Sequence, residues 1–111
     1  MKLLIIGSRT VVDFDFTPYV GEEIDLIISG GAKGIDKLAE AFADKHQISK
    51  LILYPQYRRY GKAAPIKRNQ QMVDLADAVL AVWDGHSKGT LSTIRYAQKQ
   101  QKHLTVVTVN T

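Results

Sequence analysis

A chain of 111 residues, 45% hydrophobic and 23% charged, is long enough for one core and too short for a separate substrate domain, so residues 1–111 are expected to fold as one unit. No apolar run approaches the roughly 18 to 20 residues of a membrane span, and the absence of cysteine excludes disulfides, a thiol nucleophile and cysteine-based metal sites. The formal charge of +4 favours an anionic partner, nucleotide or nucleic acid, without choosing between them, and cytoplasmic residence is the expectation for a cysteine-free chain.

The first element is the strand "KLLIIG" at 2–7, whose apolar run is shorter than the roughly 7 to 15 residues of a signal h-region. The segment "VVDFDFTPYVGEE" that follows is read as a short helix, because Pro18 and Gly21 prevent a long one. A second strand, "DLIIS" at 25–29, precedes a helix over about 32–46 in which Ile35, Leu38, Ala39, Phe42 and Ala43 form one apolar stripe. A third strand, "KLILY" at 50–54, leads to a helix with Pro65 in its first turn and Ile66, Val73 and Ala76 on one face. The fourth strand, "AVLAVW" at 78–83, is followed beyond Gly89 by a helix that turns Leu91, Ile94 and Ala97 inward and ends near the basic "KQQKH". "LTVVTV" at 104–109 is the fifth strand.

The first four strands are apolar at consecutive rather than alternate positions, the pattern of strands buried on both faces of a parallel sheet. Alternation with helices predicts an α/β fold, a Rossmann-like three-layer sandwich with a five-stranded, mostly parallel sheet and helices on both faces. Ligands of such folds bind beyond the carboxyl ends of the strands, which directs attention to the turns that follow them.

After the first strand, "GSRT" provides Gly7 for a tight turn, the Ser8 hydroxyl and the Arg9 guanidinium, a planar fork suited to phosphate; a solvated turn explains the same residues. After the second, "SGGAKGID" has neither the closing Gly-Lys-Ser/Thr of a P-loop nor the spacing of a dinucleotide GxGxxG. Its physics still suits a phosphate cradle, with Ser29, Gly30, Gly31, Ala32 and Gly34 leaving the backbone open at a helix start. Asp36 either favours the helix dipole or meets a ribose hydroxyl.

After the third strand, "YPQYRRYGKAAPIKR" interleaves Tyr54, Tyr57 and Tyr60 with Arg58, Arg59, Lys62, Lys67 and Arg68, as a single-strand binder would, although half-buried tyrosines in a polar loop read the same way. After the fourth, "WDGHSKGT" offers Asp84, Ser87 as an N-cap, and Gly89 with Thr90 at a helix start, a second anion site facing the first. Two such turns on neighbouring strands point to phosphate more strongly than either alone. His46, His86 and His103 lack metal-ligand spacing, so no metal is assigned, and no cofactor is assigned either.

With "GSR", "SGGAKGID", "PIKRNQQM" and "ADAVLAVWDGHSKGT" in this order, the chain resembles the SLOG superfamily of Rossmann-like proteins, most closely its small single-domain YspA-like branch. "SGGAKGID" is also similar to the glycine turn of the single-stranded DNA binder DprA. Arg68 and Gly89-Thr90 match the lonely-guy phosphoribohydrolases of the same superfamily, but where their Thr-x-x-Glu pattern has glutamate this chain has Thr93. Glycosidic cleavage needs a carboxylate to support an oxocarbenium ion or move a proton, and a threonine hydroxyl does neither well.

The resemblance implies a ligand of the AMP or ADP-ribose type, a sensing role and a homodimer. The expected site comprises Gly7, Ser8, Arg9, Ser29, Gly30, Gly31, Ala32, Gly34, Asp36, Arg68, Asn69, Asp84, Ser87, Gly89 and Thr90. Binding of a nucleotide or nucleotide-derived small molecule is the leading expectation. A phosphoribohydrolase or nucleosidase using Asp36 or Asp84 is the alternative, and single-stranded nucleic-acid binding the second alternative.

Overall fold

The computed structural model describes residues 1–110, and Thr111 lies outside them. Five strands, β1 (Lys2–Gly7), β2 (Leu26–Ser29), β3 (Ser49–Ile52), β4 (Ala78–Trp83) and β5 (His103–Thr108), form one sheet in the order β3-β2-β1-β4-β5. Every pairing is parallel, with Leu3 beside Ile27 and Ile5 beside Leu80. The helices are α1 (Ile35–Lys45), the single turn α2 (Tyr57–Tyr60), α3 (Ala64–Leu75) and α4 (Lys88–Lys99).

Successive residues of β1 serve opposite layers. Leu3 and Ile5 join Ile27, Leu80 and Val82 beneath the Ile35, Ala39 and Ala43 stripe of α1. Leu4 and Ile6 join Ile28 and Ala81 beneath Met72 and Val73 of α3, Ala76 just beyond it, and Ile94 and Ala97 of α4. Leu4, Ile5, Ile27 and Ile28 are wholly removed from water, and each such side chain contributes roughly 1.5–3 kcal/mol. The α/β sandwich expected from the sequence is the one formed, with helices on both faces.

Two local expectations are corrected. The apolar run at 50–54 is an edge strand, β3, with Leu51 41% exposed, because consecutive apolar residues cannot distinguish a central strand from an edge packed on one side. Lys50 guards that edge and pairs with Asp44 at 2.9 Å. Ile66 is exposed although Val73 and Ala76 are buried. It belongs to the first turn of α3, where Pro65 faces a cleft at the strand ends and no sheet lies beneath.

The segment between β1 and β2 contains a short helix, as expected, a single 3-10 turn at Thr17–Tyr19. It covers the α1 side of the sheet by inserting Val11, Phe16 and Ile24, and the Phe16 ring meets Phe42 of α1 edge-on at 5.5 Å. No helix among the described residues is long and apolar enough to cross a membrane.

Candidate functional site

Chain direction reverses at β1: β2 lies on one side of it and β4, reached by the crossover through α3, on the other. Loops leaving neighbouring strands in opposite directions open a crevice at their carboxyl ends. A cleft of about 290 Å³ lies there, walled by the end of β1 (Ile6, Gly7), the starts of α1 and α4, and the inward face of α3.

Gly7, Arg9, Ala32 and Asp36 line this cleft from the first two turns. Arg68, Asn69, Ser87, Gly89 and Thr90 line it from the other side, so the two glycine turns do face each other. Gly30 and Gly31 line a smaller lobe of about 160 Å³ that shares Arg9, Ala32, Pro65 and Arg68 with the main cleft. Ser8, Ser29, Gly34 and Asp84 touch neither lobe and hold the turns in place.

The turn after β2 is fastened from within. Ala32 N–H donates to the Asp36 carboxylate at 3.1 Å, Gly31 N–H faces the Ser29 hydroxyl at 3.5 Å, and that hydroxyl donates to the Asp36 carbonyl at 3.1 Å. A carboxylate of the chain itself therefore occupies the place where a phosphate was expected to meet the Ala32 amide. Gly34 has φ +80°, and a Cβ there would stand 2.5 Å from the Ser8 carbonyl oxygen, so this position admits only glycine without rearrangement. The close approach lets Ile35 N–H donate to Ser8 C=O at 3.3 Å, tying the start of α1 to the end of β1.

The turn after β4 is built around Asp84, whose carboxylate accepts the N–H groups of His86 and Ser87, both at 2.8 Å, and the Thr10 hydroxyl at 2.8 Å. Those bonds hold its carboxyl down at about 2, well below the usual range. Its own N–H donates to the buried Ser8 hydroxyl at 3.0 Å. Ser87 caps α4 as expected, accepting from Thr90 N–H at 3.4 Å, and Trp83 Nε1 donates to the Ser87 carbonyl at 3.0 Å. The first-turn amides of Lys88 and Gly89 have no helical acceptor and remain available to water or an anion, as helix starts require.

Arg68 is the central side chain, only 9% exposed. Its Nη1 donates to the carbonyl oxygens of Gly30 and, at 3.3 Å, Leu53, while Nε donates to Asn69 Oδ1 at 2.7 Å. One guanidinium thus joins the turns after β2 and β3 to α3, and its Nη2 donors are left for the two lobes that the side chain lines. Desolvation lowers its pKa, which still leaves an arginine fully charged.

Among the described residues Asp36 is the only acidic one lining the cleft, and burial raises its carboxyl to about 6 against the pull of the Ala32 N–H and Arg68. Glu40, one turn further along α1, is also buried and adds to that rise. With Asp36 protonated, Arg9 and Arg68 give the cleft a net positive charge suited to a phosphate or carboxylate.

Cleft residues outside the expected site are Ile6, Pro65, Met72 and Thr93. Thr93, which stands where the Thr-x-x-Glu pattern has glutamate, is buried and donates to the Gly89 carbonyl at 3.0 Å; its spacing from Thr90 places both on one face of α4. Arg58, Arg59, Lys62 and Lys67 are exposed outside the cleft, separated in role from buried Arg68, and Tyr54 and Tyr57 are exposed rather than half-buried. Among the described residues, no group of three or more His, Cys, Asp or Glu is placed to hold a metal ion.

In comparison with known proteins, the chain matches no family model, no curated protein and no solved structure.

Proposed function

We propose that this protein binds a nucleotide or nucleotide-derived phosphorylated metabolite of the AMP or ADP-ribose type in the cleft between the starts of α1 and α4. The observation that carries this reading is the placement of Arg68, a buried, permanently charged fork fixed by two carbonyls and lining the same cleft as the open first turn of α4. Preorganised guanidinium donors and free helix-start amides together select oxyanions. Arg9 adds an exposed cation to the cleft lining, and Asn69 and Thr90 supply polar groups for a sugar. The motifs similar to SLOG sequences support the same reading, and with it come a sensing role, a homodimer and cytoplasmic residence; sedimentation of the purified chain checks the dimer.

A thermal-shift panel of AMP, ADP-ribose, NAD and ribose 5-phosphate tests the proposal. At a hundredfold excess over the dissociation constant, binding adds about 2.7 kcal/mol and raises Tm by several degrees or more. No shift with any of the four overturns it.

A second reading, nucleotide hydrolysis to free base and ribose 5-phosphate, draws on Asp36, a carboxyl in the cleft with its pKa raised to about 6. That value suits a group that donates a proton to the leaving base and takes one from water. Chromatography of AMP incubated with the protein would show adenine and ribose 5-phosphate, abolished by Asp36→Asn and retained by Asp84→Ala, since Asp84 does not line the cleft. Intact AMP after prolonged incubation removes this reading and leaves the binding proposal standing.

A further inference from the structure

The smaller lobe differs from the main cleft in being lined by aromatic rings. Tyr54, Pro55, Tyr57 and Pro65 give it an aromatic and aliphatic lining, and Arg9 and Arg68 are the charged groups shared across the boundary. Tyr54 is 62% exposed and Tyr57 60%, large rings left in water beside a pocket. Tyr54 is nevertheless positioned, because its ring lies against the Gly31 backbone so closely that a Cβ there would stand 2.7 Å from Cε1. Gly31 has φ +74°, so the turn both presents no side chain and curves away, leaving the ring a seat. The main cleft is polar at the opposite end, where Thr90, Ser87 and the α4 amides lie.

We infer that the Tyr54/Tyr57 lobe is a base-stacking subsite, and that the cleft takes a base-bearing nucleotide whose phosphate lies toward α4 and whose base stacks on these rings. The inference deepens the phosphate-binding reading and rests on it. At about 160 Å³ the lobe accommodates one flat ring system; a site for a whole second nucleotide would need at least roughly 300 Å³. The ligand is thus distinguished from a bare sugar phosphate by its base, and Arg68, lining both lobes, sits where base, ribose and phosphate are joined. Stacking tolerates any base, so this lobe supplies affinity for a nucleotide as a class rather than selection among bases.

Titration calorimetry at pH 7 with AMP and ribose 5-phosphate, on the wild type and on the Tyr54→Ala, Tyr57→Ala and Tyr57→Phe variants, tests the inference. AMP is expected to bind the wild type at least about tenfold more tightly than ribose 5-phosphate. Each alanine variant should weaken AMP about fivefold or more while leaving ribose 5-phosphate unchanged, and Tyr57→Phe should keep wild-type AMP affinity because stacking uses the ring. Equal affinities of the wild type for the two ligands would sink the base subsite and leave the phosphate site intact. Alanine variants that weaken both ligands alike would also overturn it, by showing that the tyrosines only support the turn. Absence of binding by either ligand removes the phosphate site and this inference together.

Discussion

Arg68 Nη1, on α3, donates to the main-chain oxygen of Gly30 at the end of β2, 38 positions earlier in the chain. The bond makes a side chain of the candidate site a structural tie between two turns, so its role in binding and its role in stability are separable only by choice of variant.

Arg68→Ala strands the Gly30 and Leu53 carbonyls and removes the cation that faces Asp36. Urea unfolding should show a loss of about 1–3 kcal/mol. Arg68→Lys should lose less stability, since an ammonium can still reach one carbonyl, yet bind AMP at least about tenfold more weakly because it lacks the planar fork. Equal affinity in wild type and lysine variant would show that the fork is not used.

Asp36 should leave a pH signature. Its carboxyl titrates at about 6 when folded against 3.8 as its ordinary value, so between those values the folded chain holds more protons and stability falls as pH rises from about 4 to about 6. Asp36→Asn keeps an oxygen for the Ala32 N–H and removes the ionisation. The variant should therefore be more stable than wild type above pH 7, by about 3 kcal/mol, with the difference vanishing near pH 4. Melting curves at intervals between pH 4 and 8 measure it.

The same carboxyl links protons to ligand. ADP-ribose, whose diphosphate keeps a constant charge over this range, should bind more tightly at pH 5 than at pH 8, because a neutral Asp36 no longer repels it. Asp36→Asn should make calorimetric affinity nearly independent of pH.

Asp84 behaves oppositely. Its carboxyl is held at about 2 by the turn amides, so its contribution is present above the ordinary value near 4 and lost as pH falls through about 2. Asp84→Ala should lower Tm at pH 7, and the gap from wild type should close in acid.

Two glycines separate fold from function. Gly34→Ala meets both φ +80° and the Ser8 backbone, and should cost about 2 kcal/mol or more in denaturant unfolding. Gly89→Ala meets nothing within 4 Å in the first turn of α4 and should be neutral or stabilising by a few tenths of a kcal/mol.

Much of this was legible in the sequence for a physical reason. Strands buried on both faces write their burial directly as consecutive apolar residues, so β1 and β4 emerge with the bounds they have in the structure, 2–7 and 78–83. The α1 stripe and the Ser87 cap were equally local signals. What escaped depended on distant partners. No local pattern tells that "KLILY" ends at the sheet edge, or that Ile66 has no sheet beneath it. Asp36 and Asp84 read as two candidate carboxylates, yet one lies in the cleft at about 6 and the other outside it at about 2, a divergence set by burial and by which amides each accepts. The glycine turn after β2 read as a phosphate cradle, while the structure fills part of it with the Asp36 carboxylate and leaves the start of α4 the more open of the two.

The most direct measurement is an amide-resolved NMR titration of the isotopically labelled protein with AMP. The shifts should concentrate at Lys88, Gly89 and Thr90, with the Arg68 side-chain resonance and the amides around Tyr54 and Tyr57 moving in step. An unchanged spectrum at millimolar AMP, or shifts confined to Arg58, Arg59 and Lys62 outside the cleft, would contradict the account.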